Sequence, residues 1–270
     1  MQAITFDMDD TLLRDDLTIS AFTLDVLRRA AAEGIHIIPA SGRARDSMKP
    51  FVEQIGCASC YISCNGAEVW SPAHQLLMRE KLTREDAQEI AAFGERYQAY
   101  AQTYEGPHFY FNAEEDSLWA KAYAKSSMLS GVRVGPLGPY LLEHDTSKIL
   151  MMDQPEKIAQ MLAAAREQFA GRVSVTCSKP YFLEFAPIEA DKGKALARCG
   201  ERLGFGLPEA VAFGDSLNDL SMLQAAGTGI CVANAREDVK QLISGRCGSN
   251  EEDGVAHYIE QHILQRRHGA

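Results

Sequence analysis

The chain has a deficit of positive charge. Its 270 residues include 27 lysines and arginines against 37 aspartates and glutamates, a formal net charge of −10. Nucleic acids and anionic membranes are bound by basic surfaces, so we expect neither as the main partner. A phosphorylated ligand would instead have to be held by local positive groups.

The sequence also lacks the segments that direct a chain into a membrane or out of the cell. No apolar run approaches the ~20 residues that a membrane-spanning helix needs. The first residues enter a strand-like run without the basic and apolar regions of a signal peptide. Internal repeats and low-complexity tracts are absent as well. These absences predict a soluble, cytoplasmic, globular protein.

The cysteines do not form an obvious framework. Seven is an odd number, and without a secretion signal we expect no disulfide scaffold. Cys57, Cys60 and Cys64 have a spacing that resembles a metal site, but no second pair of Cys or His follows them. We interpret the three as small packed apolar side chains.

Three short apolar runs, at residues 4–6, 35–40 and 211–213, each end in acidic, hydroxyl or amide side chains. Apolar runs separated by helical segments predict a buried parallel sheet, in which ligands bind beyond the carboxyl ends of the strands. The polar side chains that follow the runs are therefore expected to meet in one crevice: Asp7, Asp9, Ser41, Asp215, Asn218 and Asp219. Four carboxylates there would repel one another unless a divalent cation lay among them.

The alternation of strands and helices is interrupted once along the chain. Residues 1–82 and 187–270 alternate, which predicts an α/β core with a doubly wound parallel (Rossmann-like) sheet. Residues 83–186 instead predict antiparallel strands and helices, with a Gly/Pro-rich loop at residues 135–139. A segment of about a hundred residues is too long for a loop. We therefore predict an inserted α+β cap domain.

Asp7 and Asp9 can divide the work of a phosphoryl transfer. An aspartate carboxylate is ionised at neutral pH and is an established nucleophile for forming an aspartyl-phosphate. A second carboxyl can move protons. A lysine and Mg²⁺ would lower the repulsion between carboxylate and phosphate. Lys192, at the start of a predicted helix, is the candidate cation, and Lys194 competes with it.

Four motifs, in this order, resemble those of the haloacid dehalogenase (HAD) superfamily phosphatases, most closely the Cof-type branch (subfamily IIB). They are Asp7-Met8-Asp9-Asp10-Thr11-Leu12, Ser41-Gly42-Arg43, Lys192-Gly193 and Gly214-Asp215-Ser216-Leu217-Asn218-Asp219. Weaker matches are Cys64-Asn65-Gly66-Ala67, Met222-Leu223, Ala233-Asn234-Ala235 and Asp253-Gly254-Val255-Ala256. The resemblance covers the whole chain and implies a core domain with a large second cap.

The resemblance implies a role for each matched position. Asp7 would be the nucleophile and a Mg²⁺ ligand, Asp9 the general acid/base with its backbone carbonyl on the metal, and Asp215 the third protein ligand. The phosphate-binding groups would be Ser41, Gly42, Lys192 and Asn218. Supporting positions would be Asp219, Thr11, Arg43 and Asn65.

We therefore predict a Mg²⁺-dependent phosphatase that hydrolyses a small phosphorylated metabolite, such as a sugar phosphate or phosphorylated cofactor, through an aspartyl-phosphate on Asp7. A phosphomutase or phosphotransferase is an alternative, because a second hydroxyl can take the place of water. A non-catalytic phosphometabolite sensor or receiver-type switch is another, although a receiver needs no inserted domain. The sequence leaves open the substrate, the cap residues that select it and the oligomeric state.

Overall fold

The computed structural model describes residues 1–114 and 117–265. Its strands are β1 (Ala3–Asp7), β2 (His36–Ala40), β3 (Tyr61–Ser63), β4 (Glu68–Trp70), β5 (Leu76–Arg79), β6 (Tyr100–Glu105), β7 (His108–Phe111), β8 (Ser130–Arg133), β9 (Ile149–Met152), β10 (Val173–Thr176), β11 (Phe182–Pro187), β12 (Ala210–Gly214), β13 (Thr228–Cys231) and β14 (Gly245–Arg246). Its α-helices are α1 (Ala21–Ala32), α2 (Arg45–Ile55), α3 (Arg84–Arg96), α4 (Leu118–Ser127), α5 (Leu137–Glu143), α6 (Pro155–Gln168), α7 (Lys192–Leu203), α8 (Leu220–Ala225), α9 (Glu237–Leu242) and α10 (Gly254–Ile259).

The chain forms two compact units. The first contains residues 1–42, 48–78 and 191–270, and the second contains residues 43–47 and 79–190. The first unit thus ends at Met78 instead of residue 82 and resumes at Asp191 instead of residue 187. The assignment of the two units as core and cap stays a prediction.

The first unit is built on an eight-stranded sheet with the order β14-β13-β12-β1-β2-β3-β4-β5. β1 lies in the middle, parallel to β12 on one side and to β2 on the other. All five of its residues are buried, as a central parallel strand requires. Because β1, β2 and β12 run parallel, their carboxyl ends lie along the same edge of the sheet. The predicted parallel sheet is confirmed.

Helix α1 shows how the sequence sets the element boundaries of this unit. The Ser20 side chain accepts a hydrogen bond from the Thr23 backbone N–H and caps the first turn. Val26, Leu27 and Ala30 lie on the buried face of the helix. The chain leaves the helix through Gly34, whose positive φ of +81° suits glycine.

The second unit contains a six-stranded sheet with the order β10-β11-β9-β6-β7-β8. It is antiparallel except for the β7–β8 pair. Its hydrophobic core includes the neighbouring rings of Phe93, Phe169 and Phe185. The prediction of a loop over residues 135–139 is partly wrong, because α5 already begins at Leu137.

Two further expectations concern the chain as a whole. Within residues 1–114 and 117–265, every helix is too short or too polar to span a lipid bilayer. All seven cysteines are free thiols, in agreement with the expectation that no disulfide framework exists.

Candidate active site

The carboxyl end of β1 places Asp7 at the edge of the sheet. Its side chain is buried, and the chain then makes a tight π-type turn over Met8–Leu12. Within this turn Asp9 is half-buried and extended, whereas Asp10 is exposed and left-handed, with a φ of +59°. The turn therefore presents two carboxyls of different accessibility, the buried Asp7 and the more open Asp9.

Helix α7 brings a lysine to Asp7. Asp191 caps this helix by accepting a hydrogen bond from the backbone N–H of Lys194, with an oxygen–nitrogen distance of 2.8 Å. The cap fixes Lys192 as the first helical residue, with its side chain fully buried. The Lys192 Nζ donates to Asp7 Oδ1 and, at 2.6 Å, to Asp219 Oδ1. Of the two candidate lysines, Lys192 is the one that contacts the buried carboxylates, while Lys194 lies at an exposed position.

Both carboxylate oxygens of Asp219 accept hydrogen bonds from neighbouring groups. Besides the Lys192 contact at Oδ1, its Oδ2 accepts the backbone N–H groups of Asp215 and Ser216, both at 3.0 Å. The chain can approach so closely only because residue 214 is glycine: a Cβ there would lie 2.6 Å from the Asp219 Cβ. Asp219 thus fixes both the lysine and the loop that follows β12.

That loop aims the carboxylate of Asp215. The Thr11 hydroxyl donates to Asp215 Oδ1 at 3.1 Å, and the Ser216 hydroxyl donates to Oδ2 at 2.6 Å. The Asp215 side chain is buried as well. Two hydroxyl donors therefore orient this carboxylate from opposite sides, one from the β1 turn and one from its own loop.

Together the carboxylates form a candidate metal centre. One oxygen from each of Asp7, Asp215 and Asp219 lies within 4.8 Å of the others. The Lys192 ammonium group pairs with two of these three buried carboxylates, Asp7 and Asp219, so the four groups together carry about two net negative charges when all are ionised. Oxygen ligands and this charge fit a hard divalent cation such as Mg²⁺.

The pKa values of the cluster reflect this excess of negative charge. Burial and the Asp219 carboxylate raise the pKa of Asp7 well above its ordinary value, against the opposing effect of Lys192. Burial alone would lower the pKa of Lys192, but Asp219 and Asp7 outweigh it and the pKa is raised. Lys192 is therefore a permanent cation, and a further positive charge would stabilise the ionised carboxylates.

Asp215→Asn is expected to stabilise the metal-free protein at neutral pH. Burial and the Asp219 carboxylate raise the pKa of Asp215 from 3.8 to about 7 in the folded state. Folding therefore favours the protonated form of Asp215. The free energy of unfolding that this preference adds is fully present below pH 3.8 and is lost as the pH rises through about 7. At about 1.4 kcal/mol per pKa unit, the loss is on the order of 4 kcal/mol. The side-chain amide in the variant stays neutral, so the variant does not lose this stability as the pH rises.

Urea unfolding of the metal-free wild type and Asp215→Asn, at about pH 5 and about pH 8, measures this effect. The advantage of the variant in free energy of unfolding should be larger at the higher pH. Asp25→Asn, which makes the same chemical change at an exposed position of α1, serves as the control. An equal difference at both pH values for Asp215→Asn would contradict the raised pKa.

A second group of polar residues lies where β2 and β3 end. The Ser41 carbonyl accepts the backbone N–H of Asn65 at 3.0 Å, and Asn65 Oδ1 accepts the Asn218 side-chain amide, also at 3.0 Å. Gly42 lies close to this amide: a Cβ at residue 42 would lie 2.8 Å from Asn65 Oδ1, so a larger residue would require the Asn65 side chain to shift. Asn65 thereby links Ser41 with Asn218, and Asn218 Oδ1 is buried without a hydrogen-bond partner.

Three further residues, Arg43, Ser216 and Asn234, differ in how far the sequence predicts their roles. Arg43 belongs to the second unit, where its Nη1 donates to the Ser47 hydroxyl at 2.9 Å and the Ser126 carbonyl at 3.0 Å. Ser216 was not predicted as a partner of Asp215. Asn234, which contacts the turn after Asp7, appeared only as part of a weak motif and received no role.

The comparisons with known proteins agree on one family over most of the chain. Residues 4–259 match the model of the haloacid dehalogenase-like hydrolases. The chain is 29% identical to "Phosphatase YwpJ" of Bacillus subtilis (strain 168), over 98% of this chain and 100% of that protein. It is 27% identical to "5-amino-6-(5-phospho-D-ribitylamino)uracil phosphatase YcsE" of the same organism, over 98% of this chain and 96% of that protein. A solved haloacid dehalogenase-like hydrolase from B. subtilis is similar in structure, with a TM-score of 0.86 and 28% identity over 97% of this chain and 100% of that chain.

Proposed function

The chain belongs to the haloacid dehalogenase-like hydrolase family, and we propose that it is a Mg²⁺-dependent phosphatase of a small phosphorylated metabolite, acting through an aspartyl-phosphate on Asp7. One observation carries the proposal: a buried carboxylate at the end of the central strand is held by a buried lysine inside an acidic cluster. This is the arrangement in which a carboxylate can attack a phosphate dianion.

In the first step, a carboxylate oxygen of Asp7 attacks phosphorus, and the bond from phosphorus to the ester oxygen breaks. Lys192 offsets the negative charge of the carboxylate and the incoming phosphate. The departing alkoxide takes a proton from the carboxyl of Asp9. The products are an aspartyl-phosphate on Asp7 and a free alcohol.

In the second step, Asp9 reverses its role. Its carboxylate takes a proton from water, and the water oxygen attacks phosphorus while the bond from phosphorus to the Asp7 oxygen breaks. Inorganic phosphate leaves, and Asp7 and Asp9 return to their starting protonation states. The half-buried position of Asp9 supports this role, because a proton-transfer group must reach both the leaving alcohol and water.

The residues that would hold Mg²⁺ are the carboxylates of Asp7 and Asp215 and the backbone carbonyl of Asp9. Bound there, the ion supplies positive charge that lowers the repulsion between the nucleophile and the phosphate dianion. Asp219 supports the metal indirectly, because both of its oxygens already hold Lys192 and the loop of Asp215.

The phosphate-binding groups would be Ser41, Gly42, Lys192 and Asn218. Support comes from the hydrogen bonds through which Asn65 connects the β2 end with Asn218, since they fix these polar groups relative to one another. Thr11 supports the site by orienting Asp215. We propose a supporting role for Arg43 as well, while its Nη1 hydrogen bonds to Ser47 and Ser126 lie within the second unit.

The substrate class follows from the chemistry and from one relative. The net charge of −10 does not favour a polyanion, so a small phosphate monoester held by a single lysine is the better ligand. The relative from B. subtilis is named as a phosphatase of 5-amino-6-(5-phospho-D-ribitylamino)uracil, a small phosphorylated metabolite. We propose the same class of substrate for this chain, with the second unit as the cap that selects it.

A panel of phosphorylated metabolites tests the proposal. Release of inorganic phosphate should require Mg²⁺, stop on addition of a chelator and return when Mg²⁺ is restored. Reactions in ¹⁸O-labelled water should place the label in the released phosphate. Unlabelled transfer of phosphate to a second hydroxyl would instead indicate a phosphotransferase. Binding of phosphate esters without turnover of any of them would indicate a sensor.

A further inference from the structure

The segment that follows β13 contacts the turn that carries Asp9. The side-chain amide of Asn234 donates to the backbone carbonyl of Asp10, with a nitrogen–oxygen distance of 2.7 Å. Its Oδ1 accepts the backbone N–H of Asn250 at 3.1 Å, which fixes the orientation of the amide. Asn234 is distant in sequence from the turn and exposed, so burial does not explain its placement.

The carbonyl that Asn234 holds belongs to a residue with a left-handed backbone. Asp10 has a φ of +59°, a conformation that most side chains rarely adopt and that glycine, asparagine and aspartate tolerate best. Asp9 immediately precedes it and is extended, with φ −70° and ψ 132°. The direction of the Asp9 side chain therefore depends on the backbone conformation of the turn, and the hydrogen bond from Asn234 to the Asp10 carbonyl is one of the contacts that hold that conformation.

Two further contacts hold the chain near the turn of Asp9 and the loop of Asp215, one from the loop after β14 and one from the segment after β13. The Asn250 side chain donates to the Leu13 carbonyl and to Asp15 Oδ1, both at 3.1 Å, just beyond the end of the turn. The backbone N–H of Arg236 donates to the Asp215 carbonyl at 3.0 Å. The segment thus connects the turn of Asp9 with the loop of Asp215.

We propose that Asn234 is a positioning residue, which holds the Asp10 carbonyl so that the Asp9 carboxyl stays aligned with the leaving group. The proposal rests on the proposed function, in which Asp9 protonates the departing alcohol. Asn234 does not touch the reacting atoms. It acts through the backbone of the turn, so removing its side chain should slow the proton transfer to the leaving group more than the other parts of the reaction.

Single-turnover phosphorylation of Asp7 by an alkyl phosphate and by p-nitrophenyl phosphate tests this role. With the alkyl phosphate, Asn234→Ala should slow the step about 10- to 100-fold, because misplacing a catalytic group by about 1 Å costs rates of this order. With the aryl phosphate, whose leaving group departs without a proton, the loss should stay below about threefold. Substrate KM should change little for either.

A double-mutant cycle with Asp9→Asn separates positioning from a general loss of structure. If Asn234 acts through Asp9, adding Asn234→Ala to Asp9→Asn should slow the alkyl phosphate reaction by no more than about twofold. Glu209→Ala is the matched control: Glu209 is also exposed in the first unit, and its side chain also accepts hydrogen bonds, from the Gln2 side-chain amide and from the Gly206 backbone N–H. It lies before β12, at the opposite edge of the sheet, and should show no dependence on the leaving group.

The outcomes distinguish this proposal from the proposed function. Normal rates for Asp9→Asn on alkyl phosphates would overturn the acid/base role of Asp9, and the role of Asn234 with it. A slow Asp9→Asn together with a normal Asn234→Ala would overturn the positioning role alone. Equal losses of Asn234→Ala on both substrates, or additive losses in the double mutant, would also overturn it.

Discussion

Asp7→Asn is expected to abolish phosphate release. An amide is a poor nucleophile and cannot form an acyl phosphate of the same kind, so the loss in kcat should be on the order of 10⁴-fold or more. The assay is release of inorganic phosphate from p-nitrophenyl phosphate at saturating Mg²⁺. Acid quenching with ³²P-labelled substrate should trap a labelled wild-type protein and no labelled variant.

Asp10→Asn is the matched control for this substitution. It makes the same chemical change three positions further along the turn, at an exposed side chain, and asparagine tolerates the left-handed backbone found there. It should keep most of the activity. The near-identical shapes of Asp and Asn should also leave the fold of Asp7→Asn intact, which circular dichroism can check. Turnover by Asp7→Asn at the wild-type rate would rule out Asp7 as the nucleophile.

The sheet and the family were predictable because their signals are local and ordered. Each of three buried runs ends in polar residues, and parallel strands bring those ends to one edge whatever their separation along the chain. Four motifs in a fixed order carried the resemblance. The match to the haloacid dehalogenase-like hydrolases over residues 4–259, with a named phosphatase among the relatives, confirms the predicted family and enzyme class.

The hydrogen-bond partners inside the site could not be read from the sequence. The choice between Lys192 and Lys194 depends on the residue that caps α7, and Asp191 as cap places Lys192 on the buried face. Asp219 is one of the three clustered carboxylates, and its two oxygens also accept hydrogen bonds from Lys192 and from backbone N–H groups, which the motif alone does not indicate. Such assignments depend on three-dimensional geometry, to which composition and spacing are insensitive.

Other features were missed because opposing local signals cancel. Residues 135–139 contain two glycines and two prolines, which favour a loop. Helix α5 nevertheless begins at Leu137, since Pro136 precedes the helix and Pro139 falls in its first turn, where no intrahelical N–H is required. The role of Asn234 could not be predicted for a different reason: its partner Asp10 is far away in sequence, and no local sequence pattern indicates the contact.

Asp9→Asn is expected to slow both chemical steps. An amide can neither protonate the leaving alcohol nor activate water, and groups of this kind contribute about 10²- to 10⁴-fold to rate. Phosphorylation of Asp7 should suffer most with a sugar phosphate, because an alkoxide leaves poorly without a proton. With an aryl phosphate the first step should be less affected, so the phosphoenzyme should accumulate. Rapid quenching with labelled substrate measures the two steps separately.

Asp215→Ala is the comparison that assigns Asp9 its role. Asp9 would reach Mg²⁺ through its backbone carbonyl, which Asp9→Asn retains, so the Mg²⁺ concentration for half-maximal activity should change little. Asp215→Ala removes a carboxylate from the cluster and should raise that concentration markedly. If Asp9→Asn raised it as much as Asp215→Ala and lost rate equally on sugar and aryl phosphates, the acid/base assignment would be wrong. The Asp9 side chain would then act as a direct ligand of the metal.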